Sequence, residues 1–242
     1  MGEQLQVLAD SVIMSDTPDA AAEASNELLF GEIVEVIEDA GEWARVRAAH
    51  DGYEGFVPRG AFDDEIVEAT HVVSALRTFA FAETDFKSAP LRVLSYQSRL
   101  HIIVEDEGYG LLAQGGWVFM GHVRAIEARQ DDIVANALPF IGAPYLWGGR
   151  TSLGLDCSAL VQLSCMAAGI DVPRDTKDQV SAIGTEVKTP QRGDFVFFEG
   201  HVGIMVDEQN LLNATARHMQ VLIEPLREVA AAYDGITAIK RL

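Results

Sequence analysis

The chain has 242 residues, 48% of them apolar, which allows a sizeable core and two or three compact units. Its formal charge of −19 argues against nucleic acid, anionic lipid or the anionic polymers of a bacterial wall as partners, because neutralising phosphates takes clustered Lys and Arg. No run approaches the ~20 apolar residues of a membrane helix, and the opening MGEQLQVLADSVIMSD has no basic flank, apolar stretch or small-residue cleavage site, so a cytoplasmic protein without membrane contact is expected.

Residues 1 to about 127 carry short runs of β-branched and aromatic residues separated by turn signals: GEIVEVIED, EWARVRAAH, DGYEGFVP, LRVLSYQ, RLHIIVED and GGWVFMGHV. In the first pair, Ile33, Val34, Val36 and Ile37 precede the turn Asp39-Ala40-Gly41, and Trp43 and Val46 follow it, which predicts a hairpin. The pattern breaks around DDEIVEATHVV and a strand series begins again. Two small β barrels in tandem are therefore expected, at 1–72 and 73–127, without a detectable sequence repeat.

From Asp131 the period changes. Ile133, Val134, Ala137 and Leu138 sit at helical spacing until Pro139 and Gly142. A second helix is predicted from Cys157 to Ala168, stopped by Gly169 and apolar on nearly every side, hence buried. The strands DFVFFEG, HVGIMVD, LLNAT and QVLIEPL follow, so 128–242 reads as an α+β domain.

The chain has two cysteines, Cys157 and Cys165. Eight residues along one helix places their backbones ~12 Å apart, too far for a disulfide. Cys157 stands where a Gly-rich loop enters the helix; unpaired N–H groups and the helix dipole there favour a thiolate. Cys165, two turns deeper, reads as core packing. A nucleophilic thiol needs a base and the base an orienting group. His201 opens the strand HVGIMV after a turn, where side chains face a cleft, while His50, His71, His101 and His122 lie in the β modules and His218 beyond a strand end. Asn213 in LLNAT can accept the imidazole N–H, but the hairpin register, which decides the face it points to, is not fixed by sequence. No metal-ligand set and no cofactor motif is present.

Four motifs in this order, PYLWGG, LDCSALV, GDFVFF leading into HVGIMV, and LLNAT, resemble those of the NlpC/p60 cysteine peptidases, papain-like hydrolases that cut bacterial peptidoglycan peptides. The resemblance covers about 128–242. It implies that Cys157 attacks an amide carbonyl, His201 takes and returns the proton, and Asn213 holds the imidazole, where the family more often has His. Asparagine carries no charge, so the ion pair of thiolate and imidazolium is expected to do the activation. The oxyanion is expected at the Cys157 N–H and the Tyr145 hydroxyl.

The segment GEIVEVIEDAGEWARVRAAHDGYEGFVP looks like a bacterial SH3-like domain, and the layout as a whole is similar to the γ-D-glutamyl-diamino acid endopeptidases of cell-wall recycling. In that group an SH3-like module closes one end of the cleft and restricts the substrate to peptides with a free N-terminal L-Ala. The implied reaction is cleavage of L-Ala-γ-D-Glu from a diamino acid, with meso-diaminopimelate the expected one and a small murein peptide the expected substrate. Asp156 is then expected to pair with the substrate ammonium, Trp147 to floor that pocket, and Ser158 and Thr176 to meet the D-Glu carboxylate. The related enzymes tend to have Ser at the latter position. Tyr53 and Glu27 are the contacts expected from the β module. Two other readings remain open: a wall-peptide-binding protein of weak activity, and a thiol acyltransferase of the same fold.

Overall fold

The computed structural model describes residues 2–242, which divide into two compact units, one ending at Ala128 and one running from Arg129 to Leu242. The first unit holds two separate cores. In a seven-stranded sheet, Ala24–Leu29, Ser11–Ser15, Glu54–Pro58, Trp43–Ala48, Ile33–Ala40, Gln4–Val7 and Phe62–Asp63 lie side by side, and Leu5, Met14, Leu28, Val34, Val46 and Val57 are buried beneath them. Ala40 pairs with Trp43, so the hairpin turns at Gly41-Glu42, one residue later than the turn read from sequence. Gly41 takes φ +74°, which a residue with a side chain rarely adopts.

The second core of this unit gathers Val73, Ala80, Leu94, Leu100, Leu112 and Val118 from a five-stranded sheet and a three-stranded one. Phe30, from the N-terminal part of the chain, is buried in it as well. The Arg99 N–H donates to the Phe30 carbonyl at 2.9 Å, and a Cβ on Gly31 would come within 2.1 Å of the Arg99 carbonyl oxygen. The two β modules expected from the sequence thus have cores of their own yet share a side chain and a close backbone approach.

The second unit is α+β. Its helices are α1 (Ile133–Ala137), α2 (Cys157–Ala167), α3 (Thr176–Ala182) and α4 (Leu226–Ala232). Its six-stranded sheet runs in the order Thr185–Glu186, Ala238–Arg241, Phe195–Phe198, His201–Met205, Asn210–Thr215, Gln220–Pro225. α1 is shorter than its apolar spacing suggested, because Leu138–Phe140, with Pro139 inside, tightens into a 3-10 turn. The Asp132 carboxylate accepts the Ala135 N–H and caps its start. α2 is buried along all but Met166, as its all-round apolar surface requires, and ends at Gly169 with φ +72°. Among the described residues no helix is long and apolar enough to cross a membrane.

Candidate active site

Two elements of the second unit meet at Cys157. The thiol occupies the first position of α2, and the Val202 N–H, next after His201 on its strand, hydrogen-bonds to it. The Thr176 hydroxyl at the start of α3 lies 3.8 Å from the sulfur. The approach to Cys157 is a loop pinned on both sides. Tyr145 N–H donates to the Met219 carbonyl, Leu146 N–H to the Leu155 carbonyl, and Leu155 N–H to the Pro144 carbonyl. A Cβ on Gly149 would stand 2.4 Å from the Gly154 carbonyl oxygen, so the second glycine of PYLWGG is required for the loop to close.

His201 is 3% exposed and its strand supplies the register that sequence left open. Met205 pairs with Leu211 and Asn213 with Leu222, so His201 and Asn213, each an even number of residues from a paired position, share one face. The Asn213 side-chain oxygen lies 2.9 Å from His201 Nε2. An amide oxygen cannot donate, so Nε2 carries the proton and Nδ1 is left as the acceptor. The Tyr233 ring stacks on the imidazole at 4.5 Å with 4° between planes, and Phe198 packs beside both.

The resting protonation differs from the expected ion pair. Burial, reinforced by the Asp156 charge, pushes the Cys157 thiol up to about 11, although the Thr176 and Val202 hydrogen bonds pull the other way. Burial likewise brings the His201 imidazole down to about 4, against the raising effect of Asn213. Helix-start activation is outweighed by desolvation, which favours the thiol at Cys157 and the neutral imidazole at His201. Burial also raises the Tyr145 hydroxyl, with the charges of Cys157 and Asp156 adding to it, so this phenol stays a hydrogen-bond donor. Cys165 is buried and pushed up to about 12 by burial alone, in keeping with a packing role.

Asp156 does a job other than the one read from sequence. It is 5% exposed and accepts from five donors: the N–H groups of Gly148 and Ala159, the Ser158 hydroxyl, and both terminal nitrogens of Arg174 at 2.9 and 2.7 Å. It caps α2 and neutralises a buried guanidinium, which leaves no lone pair for a substrate ammonium. Ser158 is engaged in the same knot, donating to Asp156 and accepting from Arg174 at 2.8 Å, so its hydroxyl proton is not directed at a ligand. Arg174, in the PRD segment ahead of α3, was missed in the sequence; an arginine between Pro and Asp before a helix gave no sign of being buried. Trp147 is exposed and Thr176 half-buried beside the sulfur. In the first unit, Glu27 is buried on its strand and accepts the Ser11 hydroxyl at 2.6 Å, and Tyr53 packs on the first core. Among the described residues no group of three or more His, Cys, Asp or Glu could hold a metal ion.

Comparison with known proteins places this arrangement. Residues 142–238 match the NlpC/P60 family and residues 14–62 the bacterial dipeptidyl-peptidase SH3 domain. The chain is 28% identical to dipeptidyl-peptidase 6 of Lysinibacillus sphaericus, over 93% of this chain and 94% of that one. It is 28% identical to the gamma-D-glutamyl-L-lysine dipeptidyl-peptidase of Bacillus subtilis, over 91% of this chain and 79% of the other. The crystal structure of an NlpC/P60 family protein from Bacillus cereus superposes with a TM-score of 0.85 at 20% identity, covering 98% of this chain and 99% of that one, which shows a shared fold. Residues 142–238 thus form an NlpC/P60 domain, the domain of the NlpC/P60 cysteine peptidases, with a bacterial dipeptidyl-peptidase SH3 domain ahead of it at residues 14–62.

Proposed function

We propose that the chain hydrolyses the bond between γ-D-Glu and a diamino acid in short murein peptides that begin with a free L-Ala. The observation that carries the chemistry is the pairing of His201 Nε2 with the Asn213 oxygen at 2.9 Å, on the strand whose next N–H touches the Cys157 sulfur. His201 Nδ1 accepts the thiol proton as the sulfur attacks the carbonyl carbon, so thiolate and imidazolium arise during attack rather than at rest. Charge growing on the carbonyl oxygen is met by the Cys157 N–H, which has no partner within α2, and by the Tyr145 hydroxyl. The imidazolium then protonates the leaving amine, and the thioester is released by water that gives its proton to Nδ1.

The substrate class rests on the relatives, two of which are named for dipeptide release from γ-D-glutamyl-L-lysine peptides. The diamino acid expected here is meso-diaminopimelate. With Asp156 committed to Arg174, its carboxylate is not available to the free amine of the substrate. The charge of −19 favours small soluble peptides over wall polymer, which agrees with recycling of murein peptides in the cytoplasm. The test is incubation with L-Ala-γ-D-Glu-meso-diaminopimelate and with the L-Lys peptide, following L-Ala-D-Glu by mass spectrometry, with Cys157→Ala as control. Release from one or both supports the reading. No dipeptide from either, with the peptides still bound, leaves a binding protein instead, and conjugates to an added amine in place of free dipeptide leave an acyltransferase.

A further inference from the structure

Asn213 has two ends of the same shape and opposite chemistry, and which end meets His201 is decided by what meets the other. Its NH2 faces two groups that only accept: the Leu222 carbonyl at 3.4 Å and Glu224 Oε2 at 3.1 Å. Turning the amide over would set its oxygen against both acceptors and present N–H to the imidazole. His201 would then carry its proton on Nδ1, the nitrogen that has to receive the thiol proton. Glu224 is the charged half of this lock. The hairpin register pairs Leu211 with Glu224 and Asn213 with Leu222, so Glu224 lies on the Asn213 face one pair along, within diagonal reach.

Glu224 is itself held. It is 7% exposed, and Arg217 Nη2 donates to both its oxygens at 2.8 and 2.9 Å, with His218 Nε2 at 3.2 Å from Oε1. Burial works against its charge, yet the Asn213 and Arg217 hydrogen bonds outweigh burial and hold the carboxyl below its usual range. The Arg217 guanidinium lies 5.6 Å from the centre of the Tyr233 ring, and Tyr233 is the ring stacked on His201. The contacts therefore close on themselves: His201, Asn213, Glu224, Arg217, Tyr233 and back to His201. At the imidazole the carboxylate and the guanidinium act with opposite sign, so what the ring delivers is orientation more than net charge.

We propose that Glu224 is a positioning residue for the Cys157–His201 pair, fixing the Asn213 amide and through it the imidazole nitrogen that carries the proton. This rests on the catalytic roles given above to Cys157 and His201. The test is nitrogen-15 NMR of the imidazoles in the full chain, with His201→Gln to assign the signal among the six histidines. The parent is expected to show one tautomer, protonated at Nε2. In Glu224→Ala the signal becomes a mixture of tautomers and kcat falls about 10–100-fold while KM moves little, the usual scale for removing a group that orients a reacting one. Glu224→Gln, which still offers an oxygen to Asn213, keeps the single tautomer and most of the rate. Should Glu224→Ala fail to fold, Glu224→Met fills the space without an acceptor and takes its place. A single Nε2–H tautomer in the folded Ala or Met variant overturns the proposal whatever the activity does. The tautomer is read without substrate, so a tautomer shift in a chain that cleaves no peptide leaves the positioning role standing and overturns only the peptidase reading.

Discussion

Replacing Asp156 by Asn removes one charge and little else, and the structure sets what that costs. The Asp156 and Arg174 side chains are 8% and 1% exposed and form a bidentate pair. Asparagine keeps an oxygen for the Ala159 N–H, so the α2 cap survives, but its NH2 faces the Gly148 N–H and Arg174 Nη2, donor against donor. Removing one partner of a buried pair costs about 3–5 kcal/mol, since the guanidinium stays in the interior without its counter-charge. For a unit the size of 129–242, 1 kcal/mol moves the melting midpoint by about 3–6 °C, so a fall of roughly 10–25 °C is expected. Scanning calorimetry on the full chain measures it, with Arg174→Met marking the transition of the second unit. Kinetics well below that midpoint complete the test: the ratio of KM for free and N-acetylated peptide stays as in the parent. A midpoint within about 2 °C of the parent, together with a KM rise confined to the free-amine peptide, would refute the anchor and return Asp156 to the substrate.

Other outcomes follow from the same geometry. Cys157→Ala abolishes turnover and Cys165→Ala keeps most of it; alkylation of Cys165 ahead of Cys157 at neutral pH contradicts this. With the thiol at about 11, the iodoacetamide rate at Cys157 climbs with pH through 9 and 10. A flat, fast rate from about pH 5 to 8 would mean a resting ion pair instead. The His201 ring, moved from 6.5 to about 4, favours the neutral form in the fold; its contribution is complete above 6.5 and lost as pH falls through 4. That is about 3 kcal/mol, and it disappears from the pH dependence of stability in His201→Gln. Tyr145→Phe lowers kcat by about 100-fold or more if its hydroxyl meets the oxyanion, whereas a change in KM alone assigns it to binding.

The parts of the site that were legible in the sequence are those written locally. An apolar run from Cys157 closed by Gly169 spells a buried helix, and it gave α2 almost to the residue. Apolar strand runs from Phe195 to Pro225 gave four adjacent strands of the second sheet. The short helices α3 and α4, seven residues each, left no trace, because at that length packing rather than propensity forms a helix. The face of Asn213 depended on register, which is a property of two strands. Arg174 and Glu224 were invisible for a related reason: an isolated charge in a sequence reads as solvated, and only tertiary placement gives each a buried partner. The thiol was misjudged in the same way. Its position on the helix and the burial of that helix were both readable, and the weight of that burial against the helix start was not.

The carboxylate that anchors the start of α2 also helps to keep the nucleophile protonated while no substrate is present. Thiolates are the species that attack peroxides and disulfides, so a Cys157 held as thiol is a poor target for oxidants. On the mechanism proposed above, the sulfur turns reactive only as it attacks a bound carbonyl and His201 takes its proton. Slow oxidation is thus the expected consequence of the same packing that holds the thiol protonated.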